Sequence, residues 1–192
     1  MLEDLIISKT RVKILVLFFL NPGKIFYVRE MVREIGEEIN AVRRELAHLE
    51  KAKILKKETR ANRLYYSFRQ DYPLYFELLE LINKTDGIGK EILKQRAKLG
   101  KLKLVMLSGR LVRGKERGAD EVDLLVVGDD LVLPQLAQIV RAEEVRRDRE
   151  INYTVMTEKE FQFRKKRRDP FILKILSSSR VMIIGDEEEL VG

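Results

Sequence analysis

The sequence predicts an α+β protein of two domains, and three observations carry that prediction. Up to residue 84, helical apolar periodicity gives way to a pair of alternating strands. Beyond it, helices and apolar strands alternate, as around a small mixed sheet. Between them, Thr85-Asp86-Gly87-Ile88-Gly89 joins helix-capping residues to glycines that permit a hinge, giving domains 1–84 and 85–192.

In the first domain, Ser8 or Thr10 can cap a helix with Val12, Leu15, Val16 and Phe19 at core spacing. Asn21-Pro22-Gly23 ends it. A short extended piece over 24–28 precedes a second helix over 29–35, which stops at Gly36. After Glu37-Glu38-Ile39, a third helix covers 40–51, with Val42, Leu46 and Leu49 at i, i+4 and i+7 facing the core. That leaves Asn40, Arg43, Arg44, Ala47, His48 and Lys51 on its other faces. Strands over 54–59 and 64–68 follow, joined by Arg60-Ala61-Asn62-Arg63. Helix, short helix, turn, helix and basic-tipped hairpin make, in that order, a winged helix-turn-helix. An apolar helix over 72–84 comes next; its Leu74, Leu78, Leu81 and Ile82 either line an interface with a second copy or pack on their own domain.

The phrase NAVRRELAHLEKAKILKKE resembles the recognition-helix-to-wing segment of ArsR/MarR-type transcriptional regulators, over residues 10–70. The resemblance implies that the third helix enters the major groove of double-stranded DNA. Arg43 and Arg44 are then the candidates for guanine or phosphate, and Asn40 for adenine or phosphate. Arg60 and Arg63 at the wing tip would meet the minor groove or backbone. Without DNA, the same residues are a solvated helix face. Regulators of this kind usually pair two half-sites, so a homodimer is expected.

The second domain reads as a helix over 90–99, a strand over 102–108, a basic turn over 109–118 and a strand over 121–127. A helix over 134–141 and a strand over 151–156 follow. Thr157 and Glu160 form a capping box for a basic helix over 158–168, which includes Arg164-Lys165-Lys166-Arg167-Arg168. A helix over 171–176 and an edge strand over 181–184 complete it. On a strand, Glu121 and Asp123 project to one face, while Asp120 points to the other. Two carboxylates opposite a glycine-containing turn can hold Mg²⁺ against a nucleotide's phosphates. Arg110, Arg113, Lys115 and Arg117 put four positive charges around that turn. They make a phosphate or nucleotide pocket, or they balance Glu116, Glu121 and Asp123.

Leu107-Ser108-Gly109-Arg110 followed by Glu121-Val122-Asp123 resembles the motif of minimal nucleotidyltransferases of the DNA polymerase β-like superfamily, over residues 85–192. The segments EINYTVMTEKEF, DPFILKIL and VMIIG resemble fusions of winged-helix regulators to such domains. The family implies nucleotide binding at Ser108, Gly109 and the position of Arg110, where active members carry a serine. It implies a metal site at Glu121, where active members carry aspartate, and at Asp123. The third acidic position falls at Asn152, with Glu150 as the other candidate and the only available base. In-line phosphoryl transfer needs metals to neutralise developing charge, so these departures predict a degenerate domain with no catalytic residue and no cofactor. The expected protein is a DNA-binding transcriptional regulator whose second domain senses a nucleotide or associates with a partner. The alternatives are a Mg²⁺-dependent nucleotidyltransferase using Glu121, Asp123 and Glu150, and an antitoxin-like partner protein.

Composition narrows the classes further. No cysteine and one histidine, His48, exclude disulfides, thiolate zinc sites and multi-histidine metal centres. The net charge of +7 favours a polyanionic partner. It is spread over the chain: 16 Lys and Arg against 12 Asp and Glu up to residue 84, then 22 against 19. The apolar run 14–20 is far short of the roughly 20 residues a membrane helix requires. With no secretory signal pattern either, a soluble cytoplasmic protein without a membrane partner is expected.

Overall fold

A serine decides where the helix from Lys9 to Leu20 begins. In the computed structural model, which describes residue 2, residues 6–115, residue 118 and residues 121–191, the Ser8 side chain accepts the Arg11 N–H at 3.2 Å and opens α1 (Lys9–Leu20). Expected features at Glu116, Arg117 and Asp120 lie outside the described residues. The chain divides into two compact units, Met1–Ile82 and Asn83–Gly192.

In the first unit, the two-residue strand β1 (Phe26–Tyr27) leads into α2 (Val28–Ile35), which ends where Gly36 takes a left-handed conformation. The Glu38 carboxylate then accepts the Asn40 and Ala41 N–H groups at 2.8 and 3.0 Å and starts α3 (Ile39–Lys51). Val42, Leu46 and Leu49 are buried, as their spacing predicts. The hairpin of β2 (Leu55–Arg60) and β3 (Arg63–Phe68) turns through Ala61 and Asn62, both at positive φ, 42° and 64°. Positive φ at both central residues marks the turn whose twist matches flanking strands. The antiparallel sheet runs in the order β1-β3-β2.

Aromatic rings fill the space behind this sheet. Phe18 meets Phe26 edge-on at 5.5 Å, Phe19 lies 4.5 Å from Phe68, and Tyr75 lies 5.6 Å from Phe68. Tyr75 opens α4 (Tyr75–Thr85). The buried face of this helix differs from the expected one. Tyr75, Leu79 and Ile82 are buried, whereas Leu74 and Phe76 are more than half exposed. Ile82 is therefore withdrawn from any surface that a second copy can reach, because Tyr75 rather than Leu74 anchors the helix in the aromatic core.

The second unit is built on a four-stranded mixed sheet in the order β6-β5-β4-β7. α5 (Gly87–Lys94) and a 3-10 turn (Arg96–Lys98) occupy the stretch expected as one helix. β4 (Lys101–Ser108) pairs antiparallel with β5 (Leu124–Asp129) and with β7 (Arg180–Ile184). β5 connects through α7 (Leu133–Arg147) to the parallel strand β6 (Tyr153–Met156). α6 (Gly109–Val112) is a single turn after β4. α8 (Glu158–Lys166), α9 (Pro170–Ser177) and α10 (Glu187–Val191) supply Phe161, Ile172, Ile175 and Leu190 to one face of the sheet. Leu124 to Val127 are fully buried, which a strand covered on both faces requires. Both units thus mix helices with a small sheet, and no helix among the described residues is long and apolar enough to cross a membrane.

Candidate functional site

On the first unit, the exposed face of α3 carries Asn40, Arg43, Arg44, Ala47, His48 and Lys51. Its helix period turns these outward because Val42, Leu46 and Leu49 are committed to the core. A cleft of about 480 Å³ opens where α3, the start of α2 and the hairpin tip meet. Arg29, Arg43 and Arg63 line it, and no carboxylate does among the described residues. The Arg63 guanidinium lies over the Tyr27 ring at 5.3 Å, a contact that fixes a long side chain without neutralising it. Arg43, Arg44 and Arg63 form no ion pair among the described residues.

Three cations of the hairpin are paired with acids. Arg60 bonds Glu58 at 2.5 Å and lies 5.7 Å from the Tyr65 ring centre. Lys56 pairs with Glu58 at 3.0 Å, and Lys57 with Glu50 at 2.8 Å. Of the residues singled out in the sequence, the cleft gathers Arg43 and Arg63. Asn40 and Arg44 lie outside its lining, and Arg60 is tied back to its own strand. Arg29 and Tyr27 were missed by pattern. The available signal was a basic residue in the first turn of a helix, where the dipole favours an acid.

On the second unit, the motif residues serve the backbone more than the surface. Ser108 ends β4, and its hydroxyl accepts the Leu111 N–H at 3.1 Å as the cap of α6. The Gly109 N–H donates to the Ser179 carbonyl at 2.6 Å. A Cβ at Gly109 would sit 2.8 Å from that carbonyl, so the glycine answers a close approach of two chain segments.

Glu121 and Asp123 do not share a strand face, because β5 begins only at Leu124, opposite Leu107 on one side and Tyr153 on the other. Asp123 is 1% exposed. Its Oδ2 accepts the Asn152 N–H at 3.1 Å, its own N–H donates to the Asn152 carbonyl at 2.8 Å, and its carbonyl accepts the Ser108 N–H at 2.8 Å. Arg149 Nη2 stands 3.6 Å from its Oδ1. Glu121 faces another way, pairing with Arg110 at 3.1 Å and accepting the Gly118 N–H at 2.9 Å. Asn152 donates its side-chain amide to the Glu121 carbonyl at 2.8 Å, and Glu150 is exposed outside the pocket lining. Among the described residues no three His, Cys, Asp or Glu side chains converge as a metal site. The donor set therefore does not fit a divalent metal: one carboxylate is stitched into the fold, one is held by an arginine, and the third position is an amide.

What the geometry does assemble is a cationic pocket of about 400 Å³. Arg110, Arg113, Lys115 and Lys174 line it, with Glu121 as the one carboxylate among the described lining residues. Ser108, Ser178 and Ser179 add hydroxyls, and Met106, Phe171 and Ile175 add an apolar side. Lys174, Ser178 and Ser179 come from α9 and the turn into β7, far from the motif in sequence. The close approach of Ser179 to Gly109 brings them in. No protein-family model, curated protein or solved structure matches this chain.

Proposed function

We propose that this protein is a cytoplasmic, homodimeric, DNA-binding transcriptional regulator. Its first unit is a winged helix-turn-helix that reads double-stranded DNA, with α3 in the major groove and the hairpin as the wing. The observation that carries this reading is the cleft where Arg29, Arg43 and Arg63 converge from three elements with no carboxylate among the described lining residues. Cations left unpaired by the protein are the groups that exchange condensed counterions for phosphates. The order of elements supports it too, since α3 follows α2 after a tight turn and precedes a two-stranded hairpin. Leu74 and Phe76 are the exposed apolar residues nearest α4 that a second copy can cover.

The second unit is proposed as a nucleotidyltransferase-like frame kept for sensing or association rather than nucleotidyl transfer. The engagement of Asp123 by Asn152 and Arg149 supports this, because the family's chemistry needs that carboxylate on a metal.

Fluorescence anisotropy against genomic fragments at low salt tests the DNA reading. The wild type is expected to bind with an affinity that falls steeply as salt rises. The paired change Arg43→Ala with Arg44→Ala is expected to abolish measurable binding. Unmeasurable affinity of the wild type at low salt, or no effect of the paired change, removes DNA reading as the function.

A further inference from the structure

We infer that the C-terminal end of α8 binds a single strand of nucleic acid, through its phosphates and the flat faces of its unstacked bases. The inference stands apart from the duplex reading, since it concerns an exposed surface of the second unit alone.

The charge of this region comes first. Residues 85–192 carry 22 Lys and Arg against 19 Asp and Glu. Five of those cations are consecutive, Arg164-Lys165-Lys166-Arg167-Arg168, and without them the count is 17 against 19. The basic excess over 85–192 is therefore this one segment. Two of the five have other engagements. Arg164 is paired with Glu160 at 2.8 Å and lies 3.8 Å from Asp169, and Lys165 lies 5.9 Å from the buried Phe161 ring. Lys166, Arg167 and Arg168 are exposed and form no ion pair among the described residues.

An aromatic ring among these cations narrows the partner. Phe163 is 57% exposed, and the Arg167 guanidinium lies over its ring at 4.6 Å. Positions three and four residues apart share a helix face, so Phe163, Lys166 and Arg167 look outward together. The helix dipole favours cations in a last turn, but it gives no reason for an exposed phenyl ring among them. Stacking occupies the face of the guanidinium and leaves its in-plane N–H donors able to reach phosphate oxygens. An arginine and an aromatic ring held together offer bases a platform beside their phosphates. A duplex keeps its base faces stacked on one another, so only a single strand uses both parts of this surface.

Other anions fit less of it. Insertion into an anionic membrane needs an apolar stripe, and α8 has none to give, because Phe161 is fully buried in the core. An acidic peptide matches the charge but leaves the ring without a stacking partner. The groups named recognise phosphates and base faces, which DNA and RNA share, so strands of both kinds are expected to bind.

Fluorescence anisotropy of the full-length protein with short labelled oligo-dT and oligo-U at low salt tests the proposal. Saturable binding of both is expected, with an affinity that falls as salt rises. Phe163→Ala removes a ring that lies mostly outside the core, and is expected to weaken binding roughly tenfold. Lys166→Gln is expected to lower the slope of log K against log salt by about 0.7, the value of one single-strand phosphate contact. Arg168 sits at φ 51°, so Arg168→Gly removes a charge while relieving left-handed backbone. That variant is expected to lower the slope equally with no loss of thermal midpoint, which a folding defect cannot mimic. The paired change Arg43→Ala with Arg44→Ala is expected to leave single-strand binding intact, whatever it does to a duplex. No saturable binding of either strand, affinity unchanged by Phe163→Ala, loss of binding in the paired variant, or equally tight binding of polyglutamate or phosphatidylserine vesicles overturns the proposal.

Discussion

The backbone N–H of Asn152 donates to the Oδ2 of Asp123, and the N–H of Asp123 donates back to the carbonyl of Asn152. This reciprocal pair ties the start of β5 to the start of β6. A third bond, from Ser108 N–H to the Asp123 carbonyl, ties it to the end of β4. Asp123 is thus a structural carboxylate. Asp123→Ala is expected to destabilise the second unit by about 1.5–3 kcal/mol, the cost of removing hydrogen bonds to a buried charged group. Urea unfolding of wild type and variant measures it. In the same assay, magnesium is expected to leave the wild-type midpoint unmoved, since a metal that binds the native state raises it.

The hairpin tip offers a change in the opposite direction. Ala61 sits at φ 42° ahead of Asn62 at φ 64°. Left-handed backbone costs an L-residue roughly 1–2 kcal/mol, and glycine is free of that cost. Glycine gives part of the gain back through the greater freedom of the unfolded chain. Ala61→Gly is therefore expected to stabilise the protein by roughly 0.5 kcal/mol, read as a higher thermal midpoint.

The parts legible in the sequence are those decided by neighbours along the chain. Ser8, Gly36, Glu38 and Thr157 each cap a helix a few residues away, so those helices are bounded correctly to within a residue or two. Val42, Leu46 and Leu49 needed only the helical period. Glu121 and Asp123 depended on something else, namely where β5 gains partners. Alternation assumed a strand from residue 121, whereas the ladder begins at Leu124 because β6 starts at Tyr153. The pocket was half visible for the same reason. Arg110, Arg113 and Lys115 are adjacent in sequence, while Lys174 and Ser179 reach the pocket through the contact between Gly109 and Ser179. No local pattern announces that contact.

Acid is expected to loosen the first unit through three carboxylates. Hydrogen bonding from Lys13 holds Glu37 below the ordinary value of 4.5, and the Asn40 and Ala41 N–H groups do the same for Glu38. Burial pushes Glu45 up, but hydrogen bonds from Ser8 and Arg11 outweigh it and leave it lowered. A carboxyl lowered on folding contributes stability that is present above its unfolded value and lost as pH falls through its folded one. The melting temperature should thus decline as pH drops below about 4.5, the ordinary value for all three. Glu45→Gln, which cannot lose a charge, is expected to make that decline shallower. An acid limb of unchanged slope in Glu45→Gln assigns the loss to other groups.

The cations of the proposed DNA surface divide into those held by acids and those that are not. Arg63 lies over Tyr27 and beside Arg29 and Arg43, with no acid among the described residues of that cleft. Arg60, three residues earlier, is held by Glu58, which also takes Lys56. A phosphate must compete with Glu58 for Arg60 but has no competitor at Arg63. Arg29→Ala and Arg63→Ala are therefore expected to weaken DNA binding more than Arg60→Ala does. Each should reduce the slope of log K against log salt by about 0.9, the value of one phosphate contact. Glu58→Ala should act in the reverse sense, because it frees Arg60 and Lys56 together and removes a negative charge from the wing. Tighter binding with a steeper salt slope is the expected outcome of that change, measured by anisotropy over a salt series. Binding and salt slope unchanged by Glu58→Ala would mean that Arg60 and Lys56 of the wing contribute nothing to the duplex.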